Sequence, residues 1–238
     1  VRYLLSACNR FFPAAKLTEA DVISAWAGIR PLIAGGEAGE PAAASREHRL
    51  TRSPSGLLTI TGGKLTTYRA MAEEAVDVVM KELRRPLAAS TTGHVPLPGG
   101  ELAGLETETR NAEQIAGARD VAERLVGAYG SRWRRVWALV EGDAALGRRL
   151  HPHLPYLRAE VVWATTRELA CTLGDVLVRR THLAFETRDH GASAAAEVAD
   201  LLATPLGWSP ATHAARLADY HAEIEQLFGV EELEPAVG

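Results

Sequence analysis

The sequence predicts an α+β N-terminal part, a β-hairpin with helices, followed by an all-α C-terminal domain. Three observations carry this. Strand-like runs at 46–51 and 57–61 flank the turn cluster Ser53-Pro54-Ser55-Gly56. From residue 111 onward the chain is rich in Ala, Leu, Arg and Glu at helical spacing, and strand-like runs almost vanish. Between them, from Arg85 to Gly104, Pro, Gly and Thr accumulate as in a connector. The expected division is 1–95 and 96–238.

In chain order, Leu4, Leu5, Ala7, Cys8, Phe11 and Phe12 recur at the spacing of an amphipathic helix that Pro13 ends. Thr18 followed by Glu19 and Asp21 reads as an N-cap with an acidic first turn, opening a helix that carries Val22, Ile23 and Trp26 as far as Gly28. Arg30 precedes Pro31, whose ring holds it extended. Residues 34–44 are small and turn-rich, a surface loop. The hairpin follows, and its second strand runs into Gly62-Gly63. From Thr66 or Thr67 a helix without a breaker extends to Met80. The later helices are expected over 111–128, 131–140, 158–187, 192–203 and 209–228.

The 238 residues suffice for a sizeable core, with 47% hydrophobic and 24% charged residues, a composition far from that of disordered chains. The formal net charge of -4 supplies no field for DNA or an anionic bilayer, so nucleic acid is not an expected partner. Cys8 and Cys171 read as small buried hydrophobes in a reducing, cytoplasmic compartment. No apolar stretch reaches 18 residues. Val1-Arg2-Tyr3 opens as the middle of a helix, the look of a chain that begins mid-protein.

The chemistry concentrates at Thr61-Gly62-Gly63-Lys64-Leu65-Thr66-Thr67. Two glycines let the backbone approach a ligand, the helix start offers unpaired N–H groups, and Lys64 adds a full positive charge, so an anion is expected there. A nucleotide P-loop is excluded, because Leu58 stands where its first glycine belongs and Leu65 follows the lysine. Taken alone, Gly-Gly-Lys is as readily a tight turn with a solvated lysine. Arg30 and Arg46, with guanidinium groups suited to bidentate grip, are the candidates to converge with Lys64 on one phosphate.

At this point Trp26-Ala27-Gly28-Ile29-Arg30-Pro31-Leu32, Ser45-Arg46-Glu47-His48 and Gly62-Gly63-Lys64-Leu65-Thr66-Thr67-Tyr68-Arg69 resemble, in order and spacing, the FAD-dependent glycerol-3-phosphate dehydrogenases. The resemblance continues through His151-Pro152-His153-Leu154-Pro155-Tyr156-Leu157-Arg158-Ala159-Glu160 and Glu168 to Thr181. It is to the C-terminal portion of that family only, since no Gly-x-Gly-x-x-Gly turn for the FAD pyrophosphate occurs in this sequence. It implies oxidation of glycerol 3-phosphate to dihydroxyacetone phosphate, hydride transfer to FAD, and electrons passed to quinone. An oxidase that uses oxygen shares the same motifs. Carried over by motif, Arg46 grips the phosphate, Arg30 lies near the reacting hydroxyl, and Lys64 stands between flavin and substrate. Gly62, Gly63, Lys64, Leu65 and Thr66 face the flavin, and the general base is expected from the absent FAD-binding half. The FAD site is therefore incomplete in this chain, which is expected to be inactive by itself. The resemblance also allows a homodimer and peripheral contact with the inner face of the cell membrane.

Other signals read more blandly. His151-Pro152-His153 is a structural loop, and no metal is assigned. The clusters Arg132-Trp133-Arg134-Arg135, Arg148-Arg149 and Arg179-Arg180 are helix-surface charge and interdomain salt bridges, with membrane approach as the further option. His48 shares a strand face with Arg46, and is either near the substrate phosphate or a satisfied structural histidine. A non-catalytic remnant or helical interaction module is the reading from outside enzymology.

Overall fold

A computed structural model of the chain describes residues 1–28 and 48–229. Its contacts divide it into two compact units, Val1–Ala27 with Pro98–Gly238, and Gly28–Leu97. The N-terminal stretch thus groups with the helices, whereas the sequence reading placed all of 1–95 in one domain.

In the second unit, β1 (His48–Arg52) and β2 (Leu58–Gly62) form an antiparallel hairpin with His48 opposite Gly62 and Arg52 opposite Leu58. The turn cluster acts as its residues dictate. Gly56 takes φ +88° and donates to Ser53 O at 2.9 Å, while Ser53 Oγ accepts from Leu57 N at 3.1 Å. After a 3-10 turn at Leu65–Thr67, α2 spans Tyr68–Glu82. Two ion pairs tie β1 to α2, His48 Nε2 to Glu74 Oε2 at 2.6 Å and Arg52 Nη2 to Glu82 Oε2 at 3.0 Å. No described residue of this unit is fully buried, and a lone hairpin is marginal in water.

The helical unit opens with α1 (Arg2–Phe11), where Asn9 holds the returning chain through both its amide groups on Leu17, at 2.8 and 2.7 Å. The helix expected from Thr18 to Gly28 is only a 3-10 turn, Glu19–Asp21, capped by the Asp21 carboxylate on Thr18 N at 2.7 Å. The cause lies far along the sequence. Arg188 donates to the carbonyls of Ala20 (2.8 Å) and Val22 (3.2 Å), Ser24 Oγ donates to Phe185 O (2.8 Å), and the Trp26 and Phe185 rings meet edge-on at 4.7 Å. These partners draw out backbone that a helix would otherwise close on itself.

Then come α3 (Leu105–Ala116), α4 (Arg119–Tyr129), α5 (Trp133–Gly142) and α6 (Arg158–Arg167). Gly117, at φ +72°, separates α3 from α4 where one helix over 111–128 was expected. At the α4–α5 corner Gly99 and Gly130 approach so closely that a Cβ on Gly130 would collide with Gly99 O. The helix expected over 158–187 is also broken. Leu169 turns at φ +58°, and the Asp175 carboxylate accepts from Cys171 N (3.0 Å) and Thr172 N (3.1 Å), starting a new π-helical segment, Asp175–Arg180. There follow α7 (Leu183–Glu186), α8 (Ala192–Leu206) and α9 (Pro210–Phe228).

Two apolar clusters fill the unit. Leu125, Trp133, Val136, Leu157 and Trp163 centre the first. Leu177, Leu183, Val198, Leu202, Tyr220 and Phe228 centre the second, with Ala194, Ala195 and Ala199 letting α8 lie close to its neighbours. Cys8 and Cys171 are both exposed, not buried: α1 buries no residue, and Cys171 follows the outward turn at Leu169, which is 86% exposed.

Candidate functional site

The Gly-Gly-Lys turn forms where β2 gives way to α2. Gly62 and Gly63 take φ +74° and +82°, a left-handed region that a side chain opposes. At Gly63 the need for glycine is doubled, because a Cβ there would stand 2.5 Å from Met71 Sδ and 3.2 Å from His48 Cβ. The turn is therefore packed from within by β1 and by the first turn of α2. Lys64 is extended (φ -116°, ψ 150°) and Thr67 locks it, its Oγ donating to Lys64 O at 2.9 Å and accepting from Lys64 N at 3.3 Å.

Lys64, Leu65 and Thr66 are exposed, and Lys64 has no carboxylate within 4 Å among the described residues. The N–H groups of Leu65 and Thr66 open the 3-10 turn, where no preceding turn can accept from them. A cation and the N–H groups of a helix start thus stand on one short, internally braced and exposed turn, a surface suited to an anionic acceptor. Gly62, Gly63, Lys64, Leu65 and Thr66 follow one another along this turn. Arg30, Arg46 and the loop over 34–44 lie outside the described residues. His48 is bound to Glu74, which gives it a structural partner.

Residues 90–213 match the family described as the C-terminal domain of alpha-glycerophosphate oxidase. The chain belongs to that family. It is similar to a glycerol-3-phosphate dehydrogenase of Synechocystis, 39% identical over 235 residues, covering 95% of this chain and 42% of that protein. Glycerol-3-phosphate dehydrogenase 2 of Mycobacterium tuberculosis is 34% identical over 229 residues, covering 94% and 38% respectively. Among solved structures it resembles the glycerol-3-phosphate dehydrogenase from Bacillus halodurans complexed with FAD, with TM-score 0.73, 30% identity, and coverage of 97% of this chain and 46% of that one. The chain spans about two fifths of the length of the curated relatives it matches, as a C-terminal portion.

Within this family's helical domain the sequence reading missed one buried polar centre. Glu160 is 1% exposed and accepts from Leu157 N (3.0 Å), Arg124 Nε (3.0 Å) and the Tyr129 hydroxyl (2.9 Å). Burial pushes its carboxyl above the usual range, against the pull of Arg124 and of the two hydrogen-bond donors. Arg124 also donates to Arg180 O (2.8 Å) and lies over the Tyr156 ring at 4.8 Å, so one guanidinium joins α4, α6 and the π-helical segment. The only local signal is Glu160 three residues after Leu157, the spacing of a helix-start carboxylate.

The arginine clusters are satisfied mostly inside the helical unit. Arg134 pairs with Glu108 and lies over Trp133, Arg149 pairs with Asp120, and Arg179 pairs with Glu223. His151 Nδ1 accepts from His153 N at 3.3 Å in a local loop. Among the described residues no helix is long and apolar enough to cross a membrane, and no group of three metal-ligating side chains occurs.

Proposed function

We propose that this chain supplies the substrate-side and flavin-side contacts, with the helical domain, of an FAD-dependent enzyme that oxidises glycerol 3-phosphate to dihydroxyacetone phosphate. The observation that carries this reading is the braced, exposed Gly62-Gly63-Lys64 turn at a helix start, in a chain of this family. Its residues fit the group: Leu65 and Thr66 stand at the start of the 3-10 turn, where their N–H groups have no preceding turn to pair with, and Lys64 adds a positive charge beside them. FAD would be held there by Gly62, Gly63, Leu65 and Thr66 and would supply a two-electron acceptor. Lys64 would hold positive charge near the substrate. Arg46 takes the phosphate and Arg30 orients the C2 hydroxyl. The reaction removes two electrons and two protons from the alcohol.

Quinone as final acceptor, residence in the cytoplasm with peripheral attachment to the inner membrane face, and a homodimer belong to the same proposal. The family's description as an oxidase supports a second reading, in which oxygen takes the electrons.

The test joins this chain to an FAD-binding half and follows dye reduction with glycerol 3-phosphate. Lys64→Ala should lower kcat by about 10² or more, and Arg46→Ala should act mainly by raising KM. Unchanged kinetics in both would overturn the reading. Hydrogen peroxide release under air, with no reduction of a quinone analogue, would select the oxidase.

A further inference from the structure

The strongest unassigned feature is a cleft of about 780 Å³ in the helical unit. Arg132, Arg135, Ala138 and Leu139 follow one stripe along α5 and its leading turn, at helical spacing. Val162, Trp163, Thr166 and Arg167 follow another along α6. Tyr129 and Trp163 lie at its base, both buried, with their rings edge-on at 6.3 Å. The cleft thus has an aromatic and aliphatic floor, with arginines on both walls.

Most arginines of this unit have a carboxylate within 4 Å, Arg119 alone reaching Glu106, Glu113 and Glu123. Arg132, Arg135 and Arg167 have none among the described residues. The one acid in the cleft, Glu168, is already engaged, accepting from Trp163 Nε1 at 2.9 Å and facing Arg180 Nε at 3.7 Å. Tyr129 is committed to Glu160, and Thr166 Oγ donates to Val162 O. Among the described residues, the uncommitted side-chain donors of the cleft are therefore the three guanidinium groups.

We propose that this cleft binds a phosphate-bearing small molecule, with Arg132, Arg135 and Arg167 holding the phosphate and the Tyr129 and Trp163 floor receiving its organic body. A carboxylate is satisfied by one guanidinium fork, whereas a phosphate dianion presents three oxygens to donors on opposite walls. The volume lies within the range of small-molecule sites, and concavity disfavours an extended polymer. This inference is independent of the Lys64 reading. The phosphate belongs either to a free metabolite or to a lipid headgroup.

The test titrates the full chain with phenyl phosphate and with inorganic phosphate by calorimetry, and mixes it with phosphatidylglycerol and phosphatidylcholine vesicles. Phenyl phosphate should bind saturably and more tightly than inorganic phosphate, and the Arg135→Ala, Arg167→Ala double variant should weaken it about tenfold or more. Lys64→Ala should leave that binding intact, which separates the cleft from the Gly-Gly-Lys turn. Because the three arginines are exposed, the variants should keep the parent's circular dichroism. Arg167→Lys, which preserves charge but not the fork, should fall between parent and double variant. Phosphatidylglycerol vesicles that retain the chain and release it to phenyl phosphate assign the phosphate to a lipid, and failure to retain it assigns a free metabolite. Absence of saturable binding up to about 10 mM, or equal binding by parent and double variant, overturns the proposal.

Discussion

Arg124 Nη2 lies 2.9 Å from Glu160 Oε2, in a pair whose acid side chain is wholly buried and whose base is 15% exposed. Breaking a buried pair from one side strands the other charge. Glu160→Ala or Arg124→Ala should therefore lower stability by about 3–5 kcal/mol, read from urea denaturation of the helical unit. Glu160→Gln, which still offers an acceptor to Leu157 N, should cost less.

Gly63 is the backbone position least able to change. Alanine there combines a left-handed φ with a Cβ 2.5 Å from Met71 Sδ. The expected loss for Gly63→Ala exceeds about 1 kcal/mol, and the double variant with Met71→Ala should recover only the steric part. Thermal denaturation monitored in the two proteins separates the contributions.

Asp189 caps the start of α8, its carboxylate accepting from Gly191 N (3.2 Å) and Ser193 N (2.8 Å). Partial burial raises its pKa, but hydrogen bonds from Ser193, Thr187 and Gly191 outweigh that and hold it down at about 2. A depressed acid contributes stability that is complete above its unfolded pKa of 3.8 and is lost as pH falls towards 2. Asp189→Ala should cost about 1 kcal/mol at pH 7, whereas Asp189→Asn should keep much of the cap and flatten the dependence between pH 4 and 2, both read from urea midpoints across that range.

The Arg188 fork onto Ala20 and Val22 predicts a local effect. Arg188→Ala should speed hydrogen exchange across residues 20–26 and leave α8 and α9 unchanged. Faster exchange throughout the helical unit would mean that the fork supports the fold globally.

What the sequence made legible was whatever local chemistry decides. The Ser53-Pro54-Ser55-Gly56 turn, the strand-to-helix switch at Gly62-Gly63 and the long helices over Ala192–Leu206 and Pro210–Phe228 carry their signals within a few residues. The failures share a different origin. The segment after Thr18 is helical by its own acids and apolar spacing, yet Arg188 and Phe185 hold it open through Ala20, Val22 and Ser24 across more than 160 positions. The run over 158–187 kept its periodicity, but Leu169 and the Asp175 cap interrupt it. At the candidate site, the Lys64 turn was visible because its five residues are contiguous. The basic cleft was not, because Arg135 and Arg167 become neighbours only when α5 lies against α6.

The attachment of Trp26 to Phe185 also sets a schedule for synthesis. Residues 20–26 leave the ribosome about 160 residues before the turn that receives them, which at 5–20 residues per second is on the order of ten seconds or more. During that interval the Trp26 ring lacks the Phe185 partner that it meets edge-on in the folded unit, so residues 20–26 wait on a turn made much later in the chain. A chaperone that shields the nascent stretch around Trp26 would act within that window.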